Sequence, residues 1–395
     1  MLTYRGMLIV LALIMAVSGA GAAITPEQGC TVLYMTDGIS FFGGNNEDYM
    51  NPLTKMWFIP GENGDYGRVY FGFEDLHAQG GMNEQGLFFD GLGIDDMCLA
   101  DTEGKEEYLG NFLDRILCDC ATVDCALELF EQFYTSEYWF WQFMLGDATG
   151  VSAIVEADAV HRQEGGYQVA TNFLQSQVPH EQALQSDTRY RQATELFAAA
   201  DEASVDLMRE ALDAVHAAHA SKTLYSNVYD LSEQRIYLYF FHDFDNAVII
   251  DLAGELERGF HVQSISDLFP VNATEQNWSS PIRQQRESLI ASIHDPEIAG
   301  RQLEVYEGMY EMLDGWGDPA STLEVLAGEQ SIFMRFPWYR QFELHPISAA
   351  EFAYVGFARS EFAVMMTVRF GFDDEGQVRY LELVMGDQAT RSEKL

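Results

Sequence analysis

Short apolar runs punctuated by glycine, aspartate and asparagine fill most of this chain, and two long stretches of helical spacing interrupt them. That order constrains the fold more than any other feature, because strand-length runs and helical blocks need different partners to bury their apolar faces. From Cys30 to about Glu47, two short apolar segments flank Thr36-Asp37-Gly38, a hairpin signal. "RVYFGF" (68–73) and "GGMNEQGLFFDGLG" (80–93) continue the strand-and-turn rhythm. A helical stretch follows from about Glu106 to Tyr134, and then come strands between Gly-containing turns through "FWQFMLGDATGVSAIVEADAVHRQEGGYQVATNF". Residues 187–219 repeat apolar side chains at three- and four-residue steps, which predicts a second helical block. "KTLYSNVYDLSEQRIYLYFFH" adds two strands and a turn. Strand and helix blocks without regular βα alternation predict a layered α+β fold, with antiparallel sheets between helices.

Composition shifts at "LFPVNATEQNWSSPIRQQ" (268–285), whose Asn, Ser and Pro content reads as a boundary. Its sequons at Asn272 and Asn277 matter only in a source that glycosylates secreted proteins. Beyond it, closely spaced short strands from "YEGMYEM" to "FAVMMTVRFGFDDEGQVRYLELVM" predict a small all-β module. The expected organisation is a signal peptide over 1–22, a propeptide over 23–29, a main domain over 30–270, a linker over 271–300 and the module over 301–395.

The signal peptide rests on Arg5, the apolar run from Met7 to Val17 and the small-residue site Ala20-Gly21-Ala22. The apolar part is too short for a comfortable membrane span. Lipidation of Cys30 is the competing reading, and it fails because Glu27-Gln28 stand where small or apolar residues are wanted. The expectation is therefore an exported chain, periplasmic or extracellular, with no membrane span in its mature form. With 22 basic against 62 acidic side chains, a net charge of −40 repels nucleic acid and anionic membranes as partners. Lysine occurs only at Lys55, Lys105, Lys222 and Lys394. Such an acidic, lysine-poor surface suits a salty medium, where screening moderates self-repulsion. Export permits disulfides among Cys98, Cys118, Cys120 and Cys125, but spacing assigns no pairing and buried thiols are the alternative.

Cys30 heads the first strand, and the polar knot Asn45-Asn46-Glu47-Asp48 ends the second. Asp37-Gly38 as a two-residue loop would put Thr36 opposite Ile39 and Cys30 opposite Asn45, bringing the knot beside the start of the first strand. Packing alone would not place so many polar groups there, because burying them unpaired is costly. If the stub before Cys30 is removed, its free α-amine titrates at roughly 7.7–8.0 and can act as base for its own thiol. Asp48 is the candidate carboxylate to orient that amine. Asn172, in "QVATNF", is the candidate donor to an oxyanion.

"GCT…DG…FGGNNED", "GGMNEQGL", "GDATGVSAIVE…VATNF", "SDTRY" and "YSNVYDL…IYLYF" follow in this order from Gly29 to about Leu252. In that order they resemble the N-terminal-nucleophile cysteine hydrolases of the choloylglycine hydrolase and penicillin V acylase group, relatives of acid ceramidase-like amidases and isopenicillin N acyltransferases. The resemblance implies an αββα sandwich, self-cleavage before the cysteine and hydrolysis of linear amide bonds through an acyl-thioester. It assigns Cys30 as nucleophile, Asp48 as orienting carboxylate, Asn172 as oxyanion donor and Arg189 as a supporting arginine. Asn45 stands where most of these hydrolases carry arginine, which leans toward the acyltransferase branch and away from bile salts. Asn45, Asn46 and Gly93 are the expected substrate-side residues, Gly93 through the loop near Asp90 that would supply the second oxyanion donor. The C-terminal module resembles the small β-barrel-like domain appended to some secreted serine hydrolases of the β-lactamase type. No cofactor or metal is expected, since HExxH, P-loop, GxSxG and GxGxxG motifs are all missing from the chain. The expected partner is a small N-acyl amide, with self-association into a homo-oligomer left open. Acyl transfer to an acceptor other than water and an inactive binding protein of the same fold are the alternatives.

Overall fold

The computed structural model describes residues 29–94, 102–135, 141–218, 222–294, 303–313, 317–318, 320–358, 360–386 and 388–395. The expected signal peptide, the stub apart from Gly29, and Cys98 lie outside the described residues. The chain begins with β1 (Thr31–Thr36), β2 (Phe41–Tyr49), β3 (Lys55–Ile59), β4 (Arg68–Gly72), β5 (Ala78–Asn83) and β6 (Phe88–Gly93). A short parallel pair, β7 (Glu106–Glu107) and β8 (Phe133–Tyr134), brackets α1 (Phe112–Asp119) and α2 (Val123–Gln132). Next come β9 (Trp141–Gly146), β10 (Ser152–Val155), β11 (Val160–Arg162) and β12 (Tyr167–Ala170). They lead into α3 (His180–Ser186), α4 (Thr188–Ala198) and α5 (Val205–Ala214). β13 (Lys222–Asp230), β14 (Arg235–Phe240), β15 (Asp243–Asp251), α6 (Leu252–Leu256) and β16 (His261–Ser264) complete the main body.

Two antiparallel sheets result, one ordered β12-β1-β2-β13-β14-β15 and the other β11-β10-β9-β6-β5-β4-β3-β16. Strand side chains alternate between faces, and here both faces of each sheet are covered. Val32, Tyr34, Tyr225, Tyr229 and Leu238 of the first sheet pack on Phe58, Phe71, Phe88 and Met144 of the second. The outer face of the first sheet, through Leu33, Met35 and Val228, packs on Phe197, Met208 and Leu212 of α4 and α5. The outer face of the second, through Trp57, Phe89 and Leu145, packs on Phe112, Ile116 and Ala126 of α1 and α2. The main body is thus a four-layer αββα sandwich, as the α+β expectation required.

The hairpin differs in register from the sequence expectation. Thr36 pairs with Phe41 and Val32 with Asn45, so Asp37–Ser40 form a four-residue loop. Asp37 Oδ1 makes the longer loop by accepting from Ile39 N at 2.9 Å and Ser40 N at 2.8 Å. Continued one residue past the Thr31–Asn46 pair, this register sets Glu47, not Asn45, opposite Cys30.

Where the sequence reads as a linker, the chain forms α7 (Ala273–Ile293), with Asn272 accepting from Thr274 N and Glu275 N as its N-cap. This helix lies on the C-terminal module. There β17 (Gly308–Glu311), β18 (Thr322–Ala327), β19 (Ile332–Arg335) and β20 (Gln341–Ser348) run into β21 (Glu351–Ala358), β22 (Glu361–Phe372), β23 (Val378–Met385) and β24 (Gln388–Glu393). These eight strands pair in sequence order, and a Tyr310–Lys394 bridge nearly closes them around Leu323, Phe342, Leu344, Phe352 and Leu381. The module seats on the main body through Arg340 to Asp75 at 3.1 Å and Phe357 against Tyr49 at a ring separation of 5.7 Å. Tyr49 directly follows Asp48, so the module reaches the end of the strand that carries the polar knot.

Candidate active site

β1 and β2 bring Cys30 and the knot together, and the two-residue period of β2 divides the knot between two layers. Asn46 turns toward the helices, donating to Leu212 O at 2.9 Å and accepting from the Ser226 hydroxyl at 2.6 Å. Both of its ends are thereby occupied on the side away from the space between the sheets. Asn45 and Glu47 face inward with Tyr225, Asn227 and Tyr229 of β13 and Asp90 of β6. Asn45 Oδ1 accepts from Asn227 Nδ2 at 3.0 Å. Asn45 Nδ2, Glu47 Oε2 and both Asp90 oxygens have no hydrogen-bond partner among the described residues, and all three side chains are buried.

Cys30 keeps an exposed edge, while its sulfur is enclosed. Sγ accepts from Asp48 N–H at 3.4 Å, and the thiol has two acceptors at 3.9 Å, Glu47 Oε1 and Asp48 O. Burial pushes the thiol well above its usual range, and the Glu47, Asp48 and Asp90 charges push it further. Burial, with the neighbouring Asp48 charge, likewise lifts Glu47 to about 8. Asp48 rises to about 7 by burial, partly offset by a hydrogen bond from Thr223 Oγ1 to Oδ1 and by the Arg189 charge. Its Oδ2 has no partner among the described residues.

On the other side of Cys30, α4 presents Arg189 from its first turn, with Asp187 as N-cap accepting from Tyr190 N. Arg189 is buried, not laid on a solvated helix face. One guanidinium nitrogen donates to Gly29 O, to Cys30 O at 2.6 Å and to Thr31 Oγ1 at 3.3 Å. The other donates to Asn172 Oδ1 at 3.2 Å. Asn172 Nδ2 in turn donates to Gly93 O at 2.8 Å. The guanidinium therefore fixes which way the Asn172 amide points, with its donor end turned to the close of β6. Gly29 lies against the same amide: a Cβ there would sit 2.2 Å from Asn172 Oδ1, and φ is +123°.

The fold therefore gathers Cys30, Asp48, Asn172, Arg189 and Gly93 at one end of the two sheets, with Asn45 on the inner wall and Asn46 behind it. Sequence reasoning gave no role to Glu47, Asp90 or Tyr225. The signal for Glu47 was present, since a second acid beside Asp48 on a buried strand has no packing purpose.

No family model matches the chain, and no curated protein matches it in sequence. Among solved structures, penicillin V acylase from Agrobacterium tumefaciens aligns over 59% of this chain and 90% of its own, at 19% identity and a TM-score of 0.47. Two variants of conjugated bile acid hydrolase from Clostridium perfringens align over 62% of this chain. They cover 99% and 97% of their own lengths, at 19% and 18% identity and TM-scores of 0.49 and 0.47.

Proposed function

We propose that the chain is an exported hydrolase of linear amide bonds in N-acyl small molecules, working through a Cys30 acyl-thioester after self-cleavage between Gly29 and Cys30. One observation carries the reading: the Gly29–Cys30 peptide is held as a substrate would be. The Gly29 carbonyl oxygen accepts from the Arg189 guanidinium, and the Cys30 thiol sits among acceptors on the inner side. Attack of Sγ on the Gly29 carbonyl carbon puts negative charge on that oxygen, where a buried guanidinium stabilises it. Collapse breaks the carbon–nitrogen bond, leaving a thioester on Sγ and a free Cys30 amine. Water then releases the upstream carboxylate and restores the thiol.

In the mature chain the new amine lies beside Asp48, whose Oδ2 can orient it. The amine takes the thiol proton, and the sulfur adds to the amide carbonyl of the substrate. Asn172 Nδ2 and a backbone N–H near Gly93 hold the oxyanion, the substrate amine leaves with the proton, and water discharges the acyl group as a carboxylate. Asn45 in the inner wall, in place of a fixed positive charge, favours uncharged substrates over anionic conjugates. It also keeps acyl transfer to an amine or thiol as the second reading, which product analysis with added acceptor separates from hydrolysis.

Intact mass of the purified protein is the first test. Mature wild type is expected to begin at Cys30, and Cys30→Ala to retain its upstream residues and to lose hydrolysis of fatty-acyl, phenoxyacetyl and bile-acid amides by at least about a thousandfold. A wild-type chain that still begins upstream of Cys30 overturns the reading.

A further inference from the structure

We propose that Glu47 is the general base of the self-cleavage, taking the Cys30 thiol proton while the Cys30 nitrogen is still locked in its bond to Gly29. This assignment rests on the self-cleavage reading above and deepens it. The amine that serves as base in the mature chain does not exist before cleavage: in the described state that nitrogen is an amide and cannot accept a proton. Some other group must take the proton from sulfur. Glu47 sits opposite Cys30 in the observed register, and its Oε1 is a hydrogen-bond acceptor for Sγ at 3.9 Å. Of the other acids at hand, Asp48 approaches the sulfur through its backbone N–H and C=O while its carboxylate accepts from Thr223, and Asp90 on β6 makes no hydrogen bond to the sulfur among the described residues. Arg189 lies on the carbonyl side and donates only to oxygens.

The proton balance closes within this set of groups. Glu47 takes the thiol proton as the sulfur–carbon bond to Gly29 forms, and charge gathers on Gly29 O against Arg189. Protonated Glu47 then returns the proton to the Cys30 nitrogen as the carbon–nitrogen bond breaks. The titratable groups that interact with Glu47 are Cys30 at the head of β1, Asp48 and Tyr49 on its own strand, Tyr225 and Tyr229 of β13 and Asp90 of β6. All are buried or partly buried, and among the described residues no cation bonds to Glu47. Burial and the Asp48 charge hold its carboxyl at about 8, so a useful share is ionised near neutrality and the ionised form is a strong enough base for a thiol.

The test follows processing of the full chain by intact mass after cell-free synthesis, across pH, for wild type, Glu47→Gln and Glu47→Asp. Glu47→Gln is expected to slow cleavage at least about a hundredfold, with Glu47→Asp recovering part of the loss. The wild-type rate should climb about tenfold per pH unit below about 8 and then level off. A rate that keeps climbing past about pH 9, as bare thiolate formation would give, overturns the assignment even if the glutamine variant fails to fold. Glu47→Gln that folds and matures as fast as wild type overturns the assignment alone. A wild type that never cleaves overturns this assignment and the self-cleavage reading together.

Discussion

A methyl group on Gly29 would land 2.2 Å from Asn172 Oδ1, at a backbone φ of +123° that side chains rarely adopt. Gly29→Ala should therefore push the Asn172 amide off Gly93 O and Arg189, slowing cleavage of the peptide that it borders. After cleavage residue 29 is gone, so chains that do mature should hydrolyse amides at the wild-type rate per active site. Intact mass set against active-site-normalised rate checks this, and an equal loss in both would show that Gly29 acts through the fold instead. That Cys30, Asp48, Asn172 and Arg189 come together was legible because each is a polar residue at the end of a strand or the start of a helix, in a recognisable order. Glu47 was not, because the expected two-residue loop set the hairpin off register and put Asn45 across from Cys30. In a strand a register slip changes which residues face one another, and the carboxylate of Asp37 decides that slip.

Elements were easier to foresee than their ends. The helical stretch expected over about Glu106–Tyr134 comprises α1 and α2, and a disulfide that spacing could not assign, Cys120 to Cys125, spans the break between them. Cys118 is a free, buried thiol hydrogen-bonded toward Asp114 at 3.7 Å. Thr122 caps α2 by accepting from Cys125 N, so the break is built from a cap and a covalent tie together. The tie closes a short loop, for which chain entropy gives roughly 2 kcal/mol. Cys120 packs in the outer helical layer, on the far face of the second sheet from Cys30. Reduction, or a Cys120→Ala/Cys125→Ala pair, should lower the melting temperature measured by calorimetry and leave the rate of Gly29–Cys30 cleavage unchanged. A parallel fall in cleavage rate would show that the outer layer positions the site. The stretch that reads as a linker is helical for a related reason: Asn272 is the N-cap of α7, and Ser279 and Ser280 lie inside it, Ser279 buried with its hydroxyl accepting from Arg283. Only the tertiary partner, the face of the C-terminal module, reveals the helix.

At the scale of the whole molecule, two electrostatic effects oppose folding at neutral pH, and salt separates them. One is the net charge of −40 spread over the surface. The other is a pair of acids whose carboxyls are raised by burial and a neighbouring acid: Glu47 beside Asp48, lifted to about 8, and Glu74 beside Asp75 at the module contact, lifted to about 7 with Arg286 a partial offset. For a carboxyl whose folded pKa stands above its unfolded value of 4.5, the folded chain holds a proton that the unfolded chain has released. The unfolded state therefore gains as pH rises. Stability from these groups is full below about 4.5 and falls through the window up to about 7 for Glu74 and about 8 for Glu47. Surface repulsion also grows over that range, but about 1 M salt shortens its reach to roughly 3 Å, whereas a buried carboxyl sees little of the added ions. Uncleaved Cys30→Ala is the chain to use, because cleavage would place an ammonium among the same acids. Its melting temperature should rise with salt at about pH 8 more than at about pH 5, and should stay lower at about pH 8 than at about pH 5 even in about 1 M salt. A pH dependence that vanishes in high salt would assign the whole effect to the surface and remove the buried acids from the balance. A dependence that survives in Cys30→Ala and shrinks in mature wild type would mean that self-cleavage supplies the cation that this end of the sandwich is built around.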